Sequence, residues 1–281
     1  MDALSTLIQH AAPKASLFFS GNLCQSTESV DYGNAGQLHL LRSGELALHQ
    51  TGSSTLLLSE PTLIVYPRGR HHRLQPMHFS GCDLVCARLT FRDSPLFRAL
   101  PDALIIPLAQ LDGLTPTINL LFEEAFSQRY AHTAVVASLL DLLLLLLLRH
   151  LVEHHLCESG LLAAMTDPKL AKSIEAIHAS LDTPWTIAEL ANLAGMSRAQ
   201  FAARFHQVIG QPPLNYVTES RLLLAKQLLL AGQPIKFIAL EVGYSGGVAF
   251  SRAFERQFGL TPTRWLQQHK QNSSEVIEPA E

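Results

Sequence analysis

The chain has 281 residues, 47% hydrophobic and 16% charged, with a formal net charge of −3. That length and composition suit a globular protein with room for two cores and exclude a disordered chain or a small disulfide scaffold. Four cysteines, Cys24, Cys82, Cys86 and Cys157, are too sparse for a disulfide framework. No cleavable signal sequence is apparent at Met1-Asp-Ala-Leu-Ser5, so a reducing cytoplasm is the expected setting.

Residues 16–92 read as short strands. Gln37–Arg42, Glu45–His49, Ser54–Leu58, Leu63–Tyr66 and Asp83–Phe91 are apolar or alternating, and Ser43-Gly44, Thr51-Gly52 and Pro67-Arg-Gly69 separate them. Many short strands with tight turns predict a β-barrel or sandwich. Arg68, Arg70 and Arg73 crowd the stretch 68–78 together with three histidines. Such a positive field would lower the pKa of a nearby thiol and favour its oxidation. Cys82 and Cys86 lie four apart, roughly 13 Å along one strand and too far to bridge, so Cys24 with Cys86 is the expected redox pair.

The period changes after residue 93. Thr117–Phe126 and Ala134–Leu156 read as helices, the second carrying Leu139-Leu-Asp-Leu-Leu-Leu-Leu-Leu-Leu-Leu148. Its charge-free run, Leu142–Leu148, is seven residues, against about 20 needed to cross a bilayer, so no membrane span is expected. A helix apolar all round is buried on several sides, which points to packing against the strands and against a second subunit in a homodimer.

The C-terminal part holds the clearest pattern. Ile187, Leu190, Ala191 and Ala194 form one apolar stripe, Gly195-Met196-Ser197 a turn, and Phe201, Phe205 and Val208 a second stripe. Gly195 suits the left-handed end of a helix and Ser197 the cap of the next. The plan recurs: Ile235, Ile238, Ala239 and Val242, then Gly243-Tyr244-Ser245, then Phe250, Phe254 and Phe258. The offset is 48 residues at the turn glycine and 49 at the first Phe, so the second unit carries one extra residue. Arg221–Leu229 reads as a connecting helix that Gly232 ends. Charge divides accordingly: net −5 over residues 1–167, +5 over 168–270 and −3 over 271–281. The positive excess sits where attraction to phosphates needs it.

This arrangement, closing with Phe258-Gly259-Leu-Thr-Pro262-Thr-Arg-Trp265, resembles the DNA-binding domain of the AraC/XylS family of transcription regulators. The resemblance implies double-stranded promoter DNA and RNA polymerase as partners. With Phe201 and Phe205 inward, Arg198, Ala199, Ala202, Ala203 and His206 fall on or near the DNA-facing side; Gly247, Val248, Ser251 and Arg252 do so in the second unit. Ala203 stands where the family often has a base-reading Arg. Arg252 is then the candidate for a guanine contact, and Ser197, Arg198 and Arg221 for phosphate.

Pro67-Arg-Gly69-Arg-His71-His72 resembles the second cupin motif, which makes the N-terminal half similar to the cupin sensing domains of this family. The resemblance puts His72 at a metal-ligand position. His39 is a further candidate, with Cys24 or Cys86 offering sulfur, for a zinc, copper or iron ion, although the His-x-His of the first cupin motif is absent. The opening Met1–Ser5, Cys24 and Cys82-x-x-x-Cys86 resemble the AraC-family activators that respond to reactive chlorine species.

The expected fold is therefore α+β and multidomain. A cupin-like β-barrel with a helical dimerisation segment spans 1–156, a linker 157–167, a double helix-turn-helix domain 168–270, and an acidic disordered tail the remainder. A transcription regulator, expected to activate in response to an oxidant or a small-molecule or metal ligand, accounts for both halves. A cupin metalloenzyme or a DNA-bending protein accounts for only one half each, so no enzymatic activity is expected.

Overall fold

The computed structural model describes residues 3–29, 35–127, 129–157 and 159–275. It divides into a sheet unit, Ala11–Arg92 with Leu96–Cys157, and a helical unit, Met1–His10 with Asp93–Pro95 and Glu158–Glu281.

Among the described residues of the sheet unit, nine strands form two antiparallel sheets. The larger runs β1 (Lys14–Leu23), β8 (Cys82–Thr90), β3 (Gly36–Ser43), β6 (Thr62–Tyr66), β9 (Leu104–Pro107). The smaller runs β2 (Thr27–Ser29), β7 (His72–Pro76), β4 (Leu46–Gln50), β5 (Leu56–Leu58). Alternation puts every second side chain of each strand between the sheets, where Leu41, Leu46, Leu48, Ile64, Leu74 and Leu84 pack. The five strands read from sequence are present as β3, β4, β5, β6 and β8; β1, β2, β7, β9 and the opening helix α1 (Ala3–Ala11) were not named from sequence.

After the short helix α2 (Pro95–Ala99), α3 (Thr115–Ala125) and α4 (His132–Glu153) match the two expected helices closely. α4 buries Val136, Leu139, Leu140, Leu143, Leu144, Leu147, Leu148 and Leu151, each side chain contributing roughly 1.5 to 3 kcal/mol. Asp141, the one acid inside the leucine run, fixes this face: it accepts from Lys14 Nζ at 2.6 Å and from the Ala15 amide at 2.8 Å on β1. The seven-residue charge-free run does not by itself exclude a membrane span. The whole helix is 22 residues and apolar enough to cross a bilayer, so shortness does not exclude it. Half of its most apolar window is buried inside the protein, which marks a core helix.

The helical unit contains α5 (Gly160–Thr166), α6 (Leu170–Ala179), α7 (Ile187–Leu193), α8 (Arg198–Ile209), α9 (Pro213–Leu230), α10 (Ile235–Glu241), α11 (Gly247–Phe258) and α12 (Pro262–Glu275). Three boundaries differ from expectation. The stretch 157–167 is not an open linker, because it forms α5, and Asp167 at its end receives the Lys169 and Leu170 amides at 2.9 and 3.3 Å at the start of α6. The opening ten residues belong with the helical unit, where the His10 carbonyl accepts from Gln227 Nε2 at 3.0 Å. α12 continues through residue 275 into the segment expected to be a disordered tail; residues 276–281 lie outside the described ones.

Candidate DNA interface and sensing site

Each reading unit is built by its caps. In the first, Gly195 takes φ +62°, and the amides of Gly195 and Met196 return to the Asn192 and Ala191 carbonyls, closing α7. Ser197 then starts α8: its hydroxyl accepts the Gln200 amide, while the Gln200 side chain accepts the Ser197 amide, a reciprocal capping box. Phe201 and Phe205 are fully buried, so Arg198, Ala199, Ala203 and His206 are exposed and Ala202 half-buried on the other side. Arg204 is exposed as well but lies on the opposite side of α8 from that face, where its Nε donates to Asp167 at 2.5 Å and ties it to the scaffold.

In the second unit Gly243, at φ +76°, repeats the turn, with Tyr244 N to Ala239 O at 2.8 Å. The extra residue falls just after: Gly246 occupies the cap position in extended conformation and supplies no side chain, and α11 begins at Gly247. Phe250 and Phe254 are fully buried, Val248 is 70% exposed, Arg252 exposed and Ser251 half-buried. Phe254 also packs on Trp265 of α12 at 5.9 Å.

Two DNA candidates change role. Arg221 was expected at phosphate; instead its Nε and Nη2 donate to the Leu181 and Thr183 carbonyls at 2.7 and 2.6 Å, with the guanidinium 6.0 Å from the Tyr244 ring centre. It joins the loop before α7 to the turn of the second unit. The Ser197 hydroxyl is likewise engaged in its capping box, although the residue is exposed.

In the sheet unit, β3 places Gln37, His39 and Leu41 on one face, and register sets Tyr66 opposite Gln37 and Cys86 opposite His39. His72 stacks on Tyr66 at 4.3 Å, and its Nε2 lies 2.9 Å from His39 Nε2. The protons can be assigned from the partners. His72 Nδ1 meets the Arg70 carbonyl at 2.8 Å and must donate there, so its Nε2 accepts from His39. His39 Nδ1 is then a bare, buried acceptor, and Gln37 Oε1 and Tyr66 Oη, on the paired residues of β3 and β6, also lack partners. Burial, followed by repulsion from His72, lowers the His39 pKa to about 3; burial raises the Tyr66 pKa to about 12. The cluster is thus neutral. Gln37 and Tyr66 were missed from sequence, although Gln37 shares the inward face of an apolar strand with His39, which was the available signal for it.

His39 and His72 come together as the metal reading required, and the His72 Nδ1 bond to a carbonyl is what holds a ligand imidazole in place. Neither sulfur completes the set: Cys86 lies opposite His39 but burial holds it as a thiol. Cys24 follows the end of β1 beyond Leu23, which pairs with Cys82, whereas Cys86 and His39 sit at the level of Phe19. Five residues of strand, roughly 16 Å, separate Cys24 from the histidines. Among the described residues no set of three His, Cys, Asp or Glu could hold a metal ion. The donor set does not fit zinc, copper or iron.

The same register corrects the cysteine pairing. Cys24 lies next to the Leu23–Cys82 pair and away from Cys86. Its thiol is exposed and donates to Asn22 Oδ1 at 2.9 Å. Cys86 is buried, and burial pushes its pKa up to about 12, so it is held as thiol rather than thiolate. The nearby arginines do not reverse this: Arg68 is occupied by the Phe97 and Leu100 carbonyls and by Asp102.

Two helix-turn-helix units joined by one long helix define a DNA-binding regulator. Residues 190–268 match the family described as helix-turn-helix domain, and residues 2–153 match the family described as cupin. The chain belongs to the AraC family of transcription regulators, in the form with a cupin N-terminal domain. It is 31% identical over 240 residues to an uncharacterized HTH-type transcriptional regulator of Haemophilus influenzae, covering 83% of this chain and 80% of that one. It is 28% identical over 283 residues to the RCS-specific HTH-type transcriptional activator RclR of Escherichia coli, covering 96% and 99%. A solved relative, the DNA-binding domain of AdpA in complex with a target DNA, is 27% identical and covers 38% of this chain and 96% of that one, with a TM-score of 0.35.

Proposed function

We propose that this protein is a cytoplasmic, homodimeric transcription activator that reads promoter DNA through α8 and α11 and responds to an oxidant through Cys24. It recruits RNA polymerase and has no enzymatic activity. One observation carries the oxidant reading: Cys24 is an exposed thiol one residue beyond the Leu23–Cys82 pair, so a second thiol lies within a short rearrangement of the strand end. A relative spanning nearly the full chain is named for specificity to RCS. Two thiols would give up two electrons and one proton to hypochlorous acid, which leaves as chloride and water while the second proton passes to solvent, and the new S–S bond would alter the end of β1. Dimerisation falls to α4, whose Val135, Leu142 and Leu145 remain exposed along one stripe. On the DNA side Arg252 contacts guanine, and Arg198 and the start of α8 around Ser197 contact phosphate. Ala199, Ala202, Ala203 and His206 complete the first face; Gly247, Val248 and Ser251 complete the second.

The test compares promoter output and thiol state after hypochlorous acid in the parent and in Cys24→Ala, Cys82→Ala and Cys86→Ala strains. Loss of response in the first two, with Cys86→Ala responding like the parent, is expected. Normal response in Cys24→Ala would overturn oxidant sensing by this thiol. A second reading is favoured by the unpartnered His39 Nδ1, Gln37 Oε1 and Tyr66 Oη: a small polar molecule that donates a hydrogen bond to His39 Nδ1 would satisfy that buried acceptor. It predicts that His39→Leu abolishes induction while every cysteine variant responds.

A further inference from the structure

A cavity of about 370 Å³ lies where one end of the larger sheet meets α3. Pairing of Leu41 with Thr62 brings Arg42, the next residue of β3, beside Pro61 and Glu60 at the start of β6. The Leu108 amide donates to the Pro61 carbonyl at 2.8 Å, so the chain leaving β9 passes through Leu108 and Asp112 on the other side of β6. From α3, Thr115, Ile118, Asn119 and Phe122 line the cavity at the three- and four-residue spacing of one helix face. Ile118 and Phe122 are buried, and with Leu108 they make an apolar floor. The Arg42 guanidinium lies over the Phe122 and Phe126 rings, 5.7 and 5.2 Å from their centres. Held against the rings, it keeps its in-plane N–H donors for a planar anion. Glu60 and Asp112 also line the cavity, yet neither carboxylate pairs with Arg42: all three charged groups lack a hydrogen-bond or ion-pair partner among the described residues. Exposed charges are ordinarily satisfied by water. These three differ in converging on one apolar-floored cavity without neutralising one another. Strand order fixes their arrangement across it, Arg42 on β3, Glu60 before β6 and Asp112 after β9: one positive group, then two negative. Since β3 and β9 flank β6, the outer two groups stem from strands roughly 10 Å apart.

We propose that this cavity is a binding site for a dibasic α-amino acid of the lysine type. Such a ligand carries the opposite charges in the same order: an α-carboxylate for Arg42, the α-ammonium beside it for Glu60, and a side-chain cation for Asp112. Its methylene chain covers Leu108, Ile118 and Phe122. Its net positive charge offsets the net negative charge of the three protein groups, and the cavity volume lies within the roughly 300 to 1,000 Å³ of small-molecule sites. Because the lining comes from both the sheet end and α3, occupancy ties the helix to the sheet. It gives this unit an input independent of Cys24 and of the His39 cluster.

The experiment is calorimetric titration of the full chain near neutral pH with three probes: L-lysine, norleucine, which lacks the side-chain ammonium, and cadaverine, which lacks the carboxylate. The variants are Asp112→Asn and Arg42→Gln, both at exposed positions, and melting curves close to the parent's establish that they are folded. The parent is expected to bind one equivalent of lysine about threefold to tenfold more tightly than either analogue. Asp112→Asn should remove the advantage of lysine over norleucine and leave norleucine binding as it was. Arg42→Gln should remove the advantage of lysine over cadaverine and leave cadaverine binding as it was. A parent with no saturable binding of lysine at millimolar concentration, equal affinity for all three probes, or variants that weaken all three alike would each overturn the assignment.

Discussion

The two reading units share one sequence plan and are stabilised differently. The first is held by local chemistry: Ser197 and Gln200 cap α8 reciprocally, and its turn is open, since a Cβ on Gly195 would meet nothing within 4 Å. The second has no side-chain cap, because Gly246 stands where Ser197 stands in the first. Its turn is wedged into the scaffold instead. A Cβ on Gly243 would come within 2.6 Å of the Asp182 carbonyl oxygen and 2.8 Å of Arg221 Nη2. Sequence repetition therefore repeats the backbone path without repeating what secures it. The first unit can fray at its own cap; the second is bound to α9 and to the loop before α7.

The sharpest test of this contrast substitutes the equivalent glycines. Gly243→Ala adds a backbone collision to the cost of a left-handed alanine and should destabilise by about 3 kcal/mol or more, whereas Gly195→Ala carries only the conformational cost of about 1 to 2 kcal/mol. Equal losses in chemical denaturation would refute the difference. Arg221→Ala should follow, at about 2 to 3 kcal/mol, because two backbone carbonyls lose charged donors. Its effect on DNA binding should track folding. A variant of unchanged stability with uniformly weaker DNA binding would restore the phosphate role first expected for this residue.

Arg252→Ala probes the reading face rather than the scaffold. It should leave the melting temperature near the parent's while costing about 1 to 3 kcal/mol of binding and relaxing preference at one base position, measured by competition among single-base operator variants. Ser197→Ala should cost less, about 1 kcal/mol of stability through the lost cap. No equivalent side chain exists at Gly246 to remove from the second unit.

The helical repeat was legible because both its stripes and its turn chemistry are local. Gly195, Ser197 and the buried phenylalanines each state their role within a few residues. Strands were legible as strands for the same reason. Partnership between strands was not: only the β1–β8 register shows that Cys24 neighbours Cys82 and not Cys86. Gln37 and Tyr66 escaped notice because they meet through pairing across 29 residues of chain. Arg221's bonds to Leu181 and Thr183 escaped notice because a cation's partners can be backbone carbonyls, which carry no mark in the sequence.

The smallest expected effect concerns how the first unit is attached. Asp167 is buried, which alone would raise its pKa, but the Lys169 amide, Arg204 and the Leu170 amide outweigh burial and hold the pKa below the ordinary carboxylate value. A carboxyl depressed in the folded state stabilises the fold above its unfolded pKa, near 3.9, and loses that contribution as pH falls through the lower folded value. Asp167→Asn keeps an acceptor for the amides of α6 yet gives up the charge that Arg204 pairs with. Its stability deficit should therefore be constant from neutral pH down to about 4, and should shrink below that as the parent's own carboxyl is protonated. Urea unfolding of parent and variant at stepped pH reads this directly. A deficit that grew on acidification would mean that Asp167 is not held ionised, and that α8 is attached to the scaffold by its buried phenylalanines without help from Arg204.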